Sequence, residues 1–387
     1  MKKTQSNLTR RKLIHHSIAL GLPIVATPKS FAKQNPFNRR EYWVSAQGKT
    51  NTTYGLGWFS DLGVDNSRKD PIEKHSIKGP VRGHGVVQHP TQSQLVVMVG
   101  RRPSQISVVF NIAQPEIQNA FRCVSHRFFT GHGCFSDDGT LFFAAEENYE
   151  NGEGVIGVYD GLSFRYLTEF PSYGLGPHEI KLMPNGHTLV IANGGLVSQQ
   201  GSIVNLHTMN SNLAFVDSRS GKLIETHKVD HAKASLRHID IAKDGTIAVA
   251  IQVQRQAMES NELVPLAAIY KPGRGFIALI QPETVIPHLK DYMGSVAING
   301  SSRLAGFTSP RGNLAVFWDI DTGGFKGYHS FDDVCGIALS RSESHFILSS
   351  SSGQIRQLDA YTLQENKKNR LHTPGMHWDN HLIQITV

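Results

Sequence analysis

The sequence predicts a seven-bladed β-propeller, an all-β fold in which four-stranded blades surround a central axis. Three observations predict it: a short phrase that recurs seven times, a four-strand unit after each copy, and an incomplete last unit. The phrase is a turn residue, usually a histidine, and then alternating apolar residues, and it returns at intervals of roughly 40 to 60 residues. The copies are Gly83-His84-Gly85-Val86, Gly131-His132-Gly133-Cys134, Pro177-His178-Glu179-Ile180, Arg237-His238-Ile239-Asp240, Gly294-Ser295-Val296-Ala297, Val334-Cys335-Gly336-Ile337 and Asn380-His381-Leu382-Ile383.

Each copy of the phrase is followed by a similar series of short strands and turns. An Asp-Gly or Asn-Gly turn comes next in several units, as at Gly139 and Gly186, and an apolar run then predicts a buried second strand. The third strand ends in aspartate in four units, at Asp160, Asp217, Asp319 and Asp359. Short, evenly spaced strands between Gly, Asp and Asn turns indicate radial β repetition, so each unit is interpreted as one blade.

The last unit is completed by the beginning of the chain. Only six units are complete in order, because the seventh first strand, residues 381–387, ends the sequence. The three strands that it lacks are predicted at residues 41–46, 53–60 and 72–78. The closing blade would then contain both ends of the chain, which leaves no open sheet edge at the join.

The basic charge of the chain belongs to its first segment. Lys plus Arg is 39 and Asp plus Glu is 32, which gives a net charge of +7. Residues 1–32 contain six basic residues and no acidic ones, and removing them leaves 33 basic residues against 32 acidic ones. The charge therefore gives no support for a nucleic-acid partner.

Residues 1–32 are interpreted as a twin-arginine export signal, and residues 33–387 as the propeller. The phrase Thr9-Arg10-Arg11-Lys12-Leu13-Ile14 fits the twin-arginine pattern, and Ser30-Phe31-Ala32 offers a cleavage site. The apolar stretch at residues 13–26 is too short and too polar for stable membrane insertion. We therefore expect a periplasmic protein; the alternative is a disordered basic N-terminus.

The three cysteines form no CxxC motif. Cys123 and Cys134 are predicted on an outer strand and the next inner strand, too far apart to bridge, and we expect free thiols. Cys335 differs because it occupies a histidine position of the repeat.

The repeat histidines are predicted to share one face of the propeller with the ends of the second strands. The first strand of a blade is innermost and antiparallel to the second, so its start lies beside the end of the second. Imidazole, thiolate and carboxylate are ligands of first-row transition metals, and several imidazoles suit copper, zinc or iron better than calcium or magnesium. The candidate metal ligands are His84, His132, His178, His238 and His381. The candidate ligand-binding residues are Arg82, Arg101, Glu146, Glu147, Glu179, Asn193 and Arg237.

Two further expectations concern this face. Seven-fold geometry is expected to spread the histidines over contiguous blades, from His381 to His238, so that a ligand lies off the axis. The long connection between Asn193 and Leu213 leaves the same face, and long loops in compact folds are often functional. We expect it either to cover the channel as a lid or to be an ordinary surface loop.

The chain resembles the twin-arginine-exported propeller family catalogued as domain of unknown function 1513, over essentially the whole mature chain. The resemblance is carried by Gly131-His132-Gly133, Glu147-Asn148-Tyr149, Gly154-Val155-Ile156-Gly157-Val158-Tyr159-Asp160, Pro177-His178-Glu179, Ala192-Asn193-Gly194-Gly195, Asn205-Leu206, Thr208-Met209, Arg237-His238 and Trp378-Asp379-Asn380-His381. It implies a propeller like those of quinoprotein dehydrogenases and WD-repeat proteins. It also implies a role in iron or copper handling beside periplasmic imelysin-like or di-haem oxidoreductase-like partners. The family tends to carry a His-Pro-acidic segment after Gly195, where this chain has Val197-Ser198-Gln199-Gln200.

The leading hypothesis is a non-catalytic periplasmic binding propeller in metal acquisition. It would bind a metal, a metal chelate or a partner protein at the histidine face. One alternative is a redox or lactonase-like enzyme that uses the same histidines and glutamates, because a metal with an open position or a poised acid–base pair supports such chemistry. The other is a protein-interaction scaffold whose histidines only fasten neighbouring blades.

Overall fold

The computed structural model describes residues 40–50, 52–60, 72–199 and 202–387. The predicted export signal at residues 1–32 lies outside these residues. The described chain is almost entirely strand and turn, with three short 3-10 helices at Arg255–Ala257, Ile286–Leu289 and Lys367–Asn369. None of the helices in the described part of the chain is long and apolar enough to cross a membrane.

Seven four-stranded antiparallel sheets form the blades of a propeller, as the sequence predicts. The strands of the closing blade that come from the start of the chain are β1 (Glu41–Gln47), β2 (Gly55–Ser60) and β3 (Lys74–Lys78). Blade 1 contains β4 (Gly83–Gln88), β5 (Leu95–Gly100), β6 (Ile106–Asn111) and β7 (Glu116–Arg122). Blade 2 contains β8 (Arg127–Phe135), β9 (Leu141–Asn148), β10 (Glu153–Asp160) and β11 (Tyr166–Leu175). Blade 3 contains β12 (Pro177–Leu182), β13 (Thr188–Asn193), β16 (Asn212–Asp217) and β17 (Leu223–His227), and a small hairpin of β14 (Ser198–Gln199) and β15 (Ser202–Ile203) precedes its third strand.

The remaining blades repeat this order. Blade 4 contains β18 (Ala234–Ile241), β19 (Ile247–Val253), β20 (Ala267–Lys271) and β21 (Gly275–Ala278). Blade 5 contains β22 (Ser295–Asn299), β23 (Leu304–Ser309), β24 (Leu314–Asp319) and β25 (Phe325–Ser330). Blade 6 contains β26 (Val334–Leu339), β27 (His345–Ser350), β28 (Gln354–Asp359) and β29 (Leu371–His372), and β30 (Ile383–Thr386) belongs to the closing blade.

The first strands of the blades surround the axis. Strands β4, β8, β12, β18, β22, β26 and β30 each contact the next in this order, and β30 returns to β4. Apolar side chains pack between adjacent blades rather than at one centre: Ile385 and Val44 of the closing blade, for example, belong to the same buried cluster as Val96 and Val108 of blade 1. Each blade interface is therefore a small core of its own, which lets one domain exceed the usual size of a single core.

The closing blade joins both ends of the chain. Its strand order is β3-β2-β1-β30, and Tyr42 pairs with Ile385 in antiparallel register. The amide of Arg40 donates to the carbonyl of Val387 at 3.1 Å, and the amide of Val387 donates back at 3.2 Å. The strands begin about two residues later than expected at β2, β3 and β30, and the predicted closure is confirmed.

The aspartates at the ends of the third strands cap the following turns. The Oδ1 atom of Asp160 accepts from the amide of Ser163 at 2.8 Å, and Asp359 accepts from Thr362 at 2.7 Å. Asp217 and Asp319 accept the same bond from the amide three residues ahead. A side chain that mimics a backbone turn explains why aspartate recurs there. Cys123, Cys134 and Cys335 are free thiols, as expected for the first two.

Candidate metal centre at the propeller axis

A β-bulge accompanies most of the repeat histidines. Strand pairing shifts register around His84 and His132, at His178, directly before His238, and around Cys335. By contrast, β22 pairs regularly with β23 from Ser295 to Asn299, and this strand carries no histidine. A bulge re-aims a side chain, so the bulges turn these imidazoles toward the axis.

Glycines beside the histidines allow the rings to approach each other. A Cβ atom on Gly131, whose φ is +115°, would lie 2.7 Å from Cδ2 of His84. A Cβ atom on Gly85 would lie 2.8 Å from Nδ1 of His132. The Gly-His phrase therefore has a physical basis, because any side chain at these glycines would push two imidazoles apart.

The five repeat histidines form one compact cluster. Ring centroids lie 4.9 Å apart for His84 and His132, and 4.7 Å apart for His178 and His238. His238 and His381, which belong to blades that are not neighbours, are 4.4 Å apart. The structure thus corrects the expectation that the rings spread over contiguous blades. His238 of blade 4 and His381 of the closing blade meet at the axis, although blades 5 and 6 between them carry no repeat histidine.

Two carboxylates orient two of the rings. Nδ1 of His84 lies 3.1 Å from Oδ1 of Asp379, and Nδ1 of His238 lies 3.2 Å from Oε2 of Glu179. The other oxygen of Glu179 is 3.8 Å from Nδ1 of His132. A carboxylate that accepts from Nδ1–H leaves the Nε2 lone pair free, which is the arrangement found behind metal-bound histidines.

Burial keeps the rings neutral. It lowers the pKa of His238 and of His381 to about 3, and it lowers the pKa values of His84, His132 and His178 well below the usual 6.5. Repulsion from neighbouring rings and arginines acts in the same direction. Neutral imidazole is the form that binds a metal ion.

Within this cluster, three buried ring nitrogens have no hydrogen-bond partner among the described residues: the Nε2 atoms of His132, His178 and His381. Three groups of potential ligand atoms each lie within 4.8 Å of one another. They are His84 with His238 and His381, His84 with His132 and His178, and His132 with Glu179 and His238. The predicted metal ligands are thus brought together, while Cys335 donates its thiol to the carbonyl of Asp333 at 3.1 Å and belongs to none of the three groups.

The histidine cluster lies between two cavities. The first, called here the arginine cavity, has a volume of about 370 Å³ and contains His84, His178 and His238 in its wall. Its polar lining includes Arg101, Arg102, Arg237, Arg311, Tyr292 and Asn380. The second, of about 340 Å³, is lined by His132, His238 and His381 and by inner-strand residues that follow the histidines, such as Glu179 and Lys181. The cluster therefore has polar space on both sides.

The predicted arginines and Glu147 lie near the first cavity. Arg82 and Arg101 each approach Asp379 to 3.4 Å, and Arg101 and Arg237 line the arginine cavity. Glu147 is fully buried and lies 3.1 Å from Arg102, which also lines this cavity. Burial raises the pKa of Glu147, and Arg102 opposes this shift.

Glu146 and Asn193 lie inside the blades, away from both cavities. Glu146 accepts a hydrogen bond from the hydroxyl of Tyr159 and lies 3.7 Å from Arg127, and burial raises its pKa to about 7. Asn193 donates to the carbonyl of Ser172 and to Asn212, both at 2.8 Å. Successive residues of a strand point to opposite faces, which separates Glu146 from its neighbour Glu147.

The described part of the long connection of blade 3 contacts blades 1, 2 and 4. Ser198 and Gln199 line a different, larger cavity of about 1210 Å³ between blades 1 and 2. Near its base, the carbonyl of Gly194 accepts from Ser235 at 2.7 Å. Residues 200 and 201 lie outside the described chain, so the lid expectation stays a prediction.

The sequence reasoning missed Asp379 and Tyr292. Asp379 contacts His84, Arg82 and Arg101, and its side chain is only 7% exposed. Its position two residues before His381, inside a quoted motif, was the available signal. Tyr292 stands just before the fifth repeat phrase; its hydroxyl accepts from Asn380 at 3.1 Å, and the guanidinium of Arg311 lies 4.3 Å from its ring centre.

Comparison with known families agrees with this architecture. Residues 77–385 match the family described as protein of unknown function (DUF1513). The chain belongs to this family. No curated protein matches the chain. The family description names no activity.

Proposed function

We propose that this member of the family is a non-catalytic metal-binding propeller of the bacterial periplasm, which takes part in iron or copper acquisition. The observation that supports it is the pair of unpaired Nε2 atoms of His132 and His381, whose ring centroids lie 4.7 Å apart within a buried cluster of five imidazoles. A buried polar atom without a partner costs about 1–3 kcal/mol, so two of them on adjacent rings need an explanation. A metal ion supplies the missing partner.

The structural alternative explains only part of this arrangement. The bonds of His84 to Asp379 and of His238 to Glu179 do fasten neighbouring blades, as a scaffold would. Each of these bonds uses Nδ1, however, and a purely structural ring would not need its other nitrogen turned toward four more imidazoles. The metal hypothesis accounts for both nitrogens, since the carboxylate orients the ring and Nε2 is left to bind.

The group of His84, His238 and His381 is the best ligand set. Two of its members have carboxylate partners, and their ligand atoms lie within 4.8 Å of one another. His178 is less suited, because Nη1 of Arg237 lies 3.4 Å from its Nδ1 and can only donate. Nδ1 then accepts, the ring proton lies on Nε2, and Nε2 has no lone pair for a metal ion. Neutral imidazole nitrogens favour copper, zinc and iron over calcium and magnesium, and copper(II) would bind most tightly.

The carboxylates beside the cluster favour binding over catalysis. An enzyme at this site would need a free acid or base near the metal. Glu179 and Asp379 are already engaged by imidazoles and by the backbone amides of Ile239 and Asn380. Neither is therefore poised for proton transfer to a substrate.

The ligand set is tested by replacing His381 with glutamine. We expect His381→Gln to weaken binding of copper(II) or zinc(II) by at least about 100-fold, because even the loss of a partner of a metal-bound histidine costs 10- to 100-fold. Calorimetric titration of the metal-free protein, with metal content after desalting, measures this. His89→Gln is the matched control, since His89 is equally buried but lies in a turn of blade 1, where its Nδ1 accepts from Gln92 at 3.0 Å. Equal affinity of His381→Gln and wild type, or no metal bound by wild type, would contradict the proposal.

The proposed periplasmic location rests on the twin-arginine motif. We expect Arg10→Lys/Arg11→Lys to keep the protein in the cytoplasm, because the pathway reads the arginine pair rather than the charge. Cell fractionation with immunoblotting measures the distribution. Lys2→Arg/Lys3→Arg is the matched control, and export of the arginine-pair variant at the wild-type level would count against the location. From the family resemblance we also propose imelysin-like or di-haem oxidoreductase-like proteins as periplasmic partners.

A further inference from the structure

The arginine cavity carries more positive charge than the nearby carboxylates balance. Arg101, Arg102, Arg237 and Arg311 line it. Two carboxylates contact this group: Asp379, at 3.4 Å from Arg101, and Glu147, at 3.1 Å from Arg102. Asp379 is also shared with Arg82 and His84.

Arg237 and Arg311 have no carboxylate within ion-pair distance in the described part of the chain. Arg311 stacks over the ring of Tyr292, and Arg237 contacts His178. The Nε atom of Arg237 is buried and has no hydrogen-bond partner. Arg237 is half-buried, and Glu147 attracts it only from beyond ion-pair distance. A guanidinium that is partly desolvated and has no carboxylate bonded to it points to a missing anion.

Hydrogen-bond donors accompany the arginines. The hydroxyl of Tyr292 accepts from Asn380, which leaves its own hydrogen without an acceptor among the described residues. Guanidinium groups match carboxylate and phosphate oxygens in a two-pronged geometry. A volume of about 370 Å³ is at the lower end of the range for small-molecule sites.

We propose that the arginine cavity binds a small oxyanion with at least two negative charges, and that this anion also coordinates the metal held by the histidines. The coordination rests on the proposed metal site, because His84 and His238 belong both to the best ligand set and to the wall of this cavity. The protein then takes up its metal together with an oxygen-rich chelator such as a polycarboxylate. An oxyanion supplies the negative charge that the neutral imidazoles lack.

Anion titration of the metal-free and the metal-loaded protein tests this proposal. Citrate and inorganic phosphate distinguish the two sources of such oxygens, and acetate is the monovalent control. We expect citrate or phosphate to bind at least about tenfold more tightly than acetate, and at least about tenfold more tightly again when the metal is present, which is the scale of one charged hydrogen bond. Metal content after desalting shows whether the anion joins the metal or removes it.

Two variants locate the anion. Arg237→Gln is expected to weaken citrate or phosphate binding at least about tenfold, and Arg311→Gln serves as a second variant that touches no histidine. Arg274→Gln, at an exposed turn of blade 4, removes the same charge and should leave binding unchanged.

Unchanged binding in both cavity variants, equal anion affinity with and without metal, or removal of the metal by citrate would overturn the proposal. Absence of metal binding with intact anion binding would instead overturn the metal site and the coordination that rests on it, and would leave the anion site standing.

Discussion

Deletion of residues 383–387 is expected to unfold the propeller. The deletion removes β30, which is the innermost strand of the closing blade, and leaves β1 with an unpaired edge toward the axis. Ile385 is fully buried against blade 1, and the loss of a buried isoleucine alone costs about 2–5 kcal/mol. With the backbone pairing lost as well, we expect at least about 5 kcal/mol, a large part of a typical total of about 5–15 kcal/mol. Urea unfolding followed by circular dichroism measures it.

Two substitutions on β30 distinguish the effect of disrupting the closing interface from the effect of adding a charge to the strand. Ile385→Asp places a carboxylate in the core between the closing blade and blade 1, and we expect a loss of about 4 kcal/mol or more. Gln384→Asp on the opposite face lines the axial space and should cost far less. Equal stability of the two variants, or a soluble and fully folded deletion variant, would show that closure contributes little.

The metal-free protein is expected to lose stability steeply between about pH 6.5 and 4.5. Each of the five axial histidines has a pKa that burial lowers in the folded state, so the unfolded chain takes up protons first as the pH falls. Their stabilisation is therefore complete above about pH 6.5 and is lost on acidification.

Three buried glutamates act in the opposite direction. Burial raises the pKa values of Glu146, to about 7, and of Glu147 and Glu179, so their folded forms bind protons before the unfolded chain does. Even if each offsets one histidine fully, the unfolded state takes up two more protons than the folded state. The free energy of unfolding should then fall by about 2.7 kcal/mol per pH unit, or about 4 kcal/mol from pH 6.5 to pH 5.

Chemical unfolding at several pH values, in the presence of a chelator, measures this slope. His381→Gln should reduce the slope by about one proton, or about 1.4 kcal/mol per pH unit. His207→Gln replaces an exposed histidine and is the control. A slope that is the same in wild type and His381→Gln would mean that this ring is not held neutral by burial.

The local pattern of the sequence was enough to predict the blades. Turn residues such as Asp160 and Asp359 make bonds with residues two or three positions ahead, so their role is readable from neighbouring letters. The closing blade could be predicted as well, because counting strands showed what the last unit lacks. Boundaries differed by about two residues at β2, β3 and β30; β30, for example, begins at Ile383 rather than at His381.

The candidate site was only partly predictable. The five histidines were found because they share one repeat position, and Glu179 because it follows one of them. Glu146 was assigned to the channel along with Glu147, yet it faces Tyr159 inside the blade. Asp379 was missed although it lies beside His381, because its contact with His84 spans almost the whole chain.

The sequence by itself determined the all-β repeat, the number of blades and the identity of the axial imidazoles, because each depends on spacing and on turns a few residues long. Only the tertiary structure decided that the bulges and glycines gather all five rings into one cluster. It alone showed that Glu179 and Asp379 orient His238 and His84, and that arginines collect above them. These facts depend on which strand faces meet across the ring, and contacts between distant blades leave no periodic trace in the sequence.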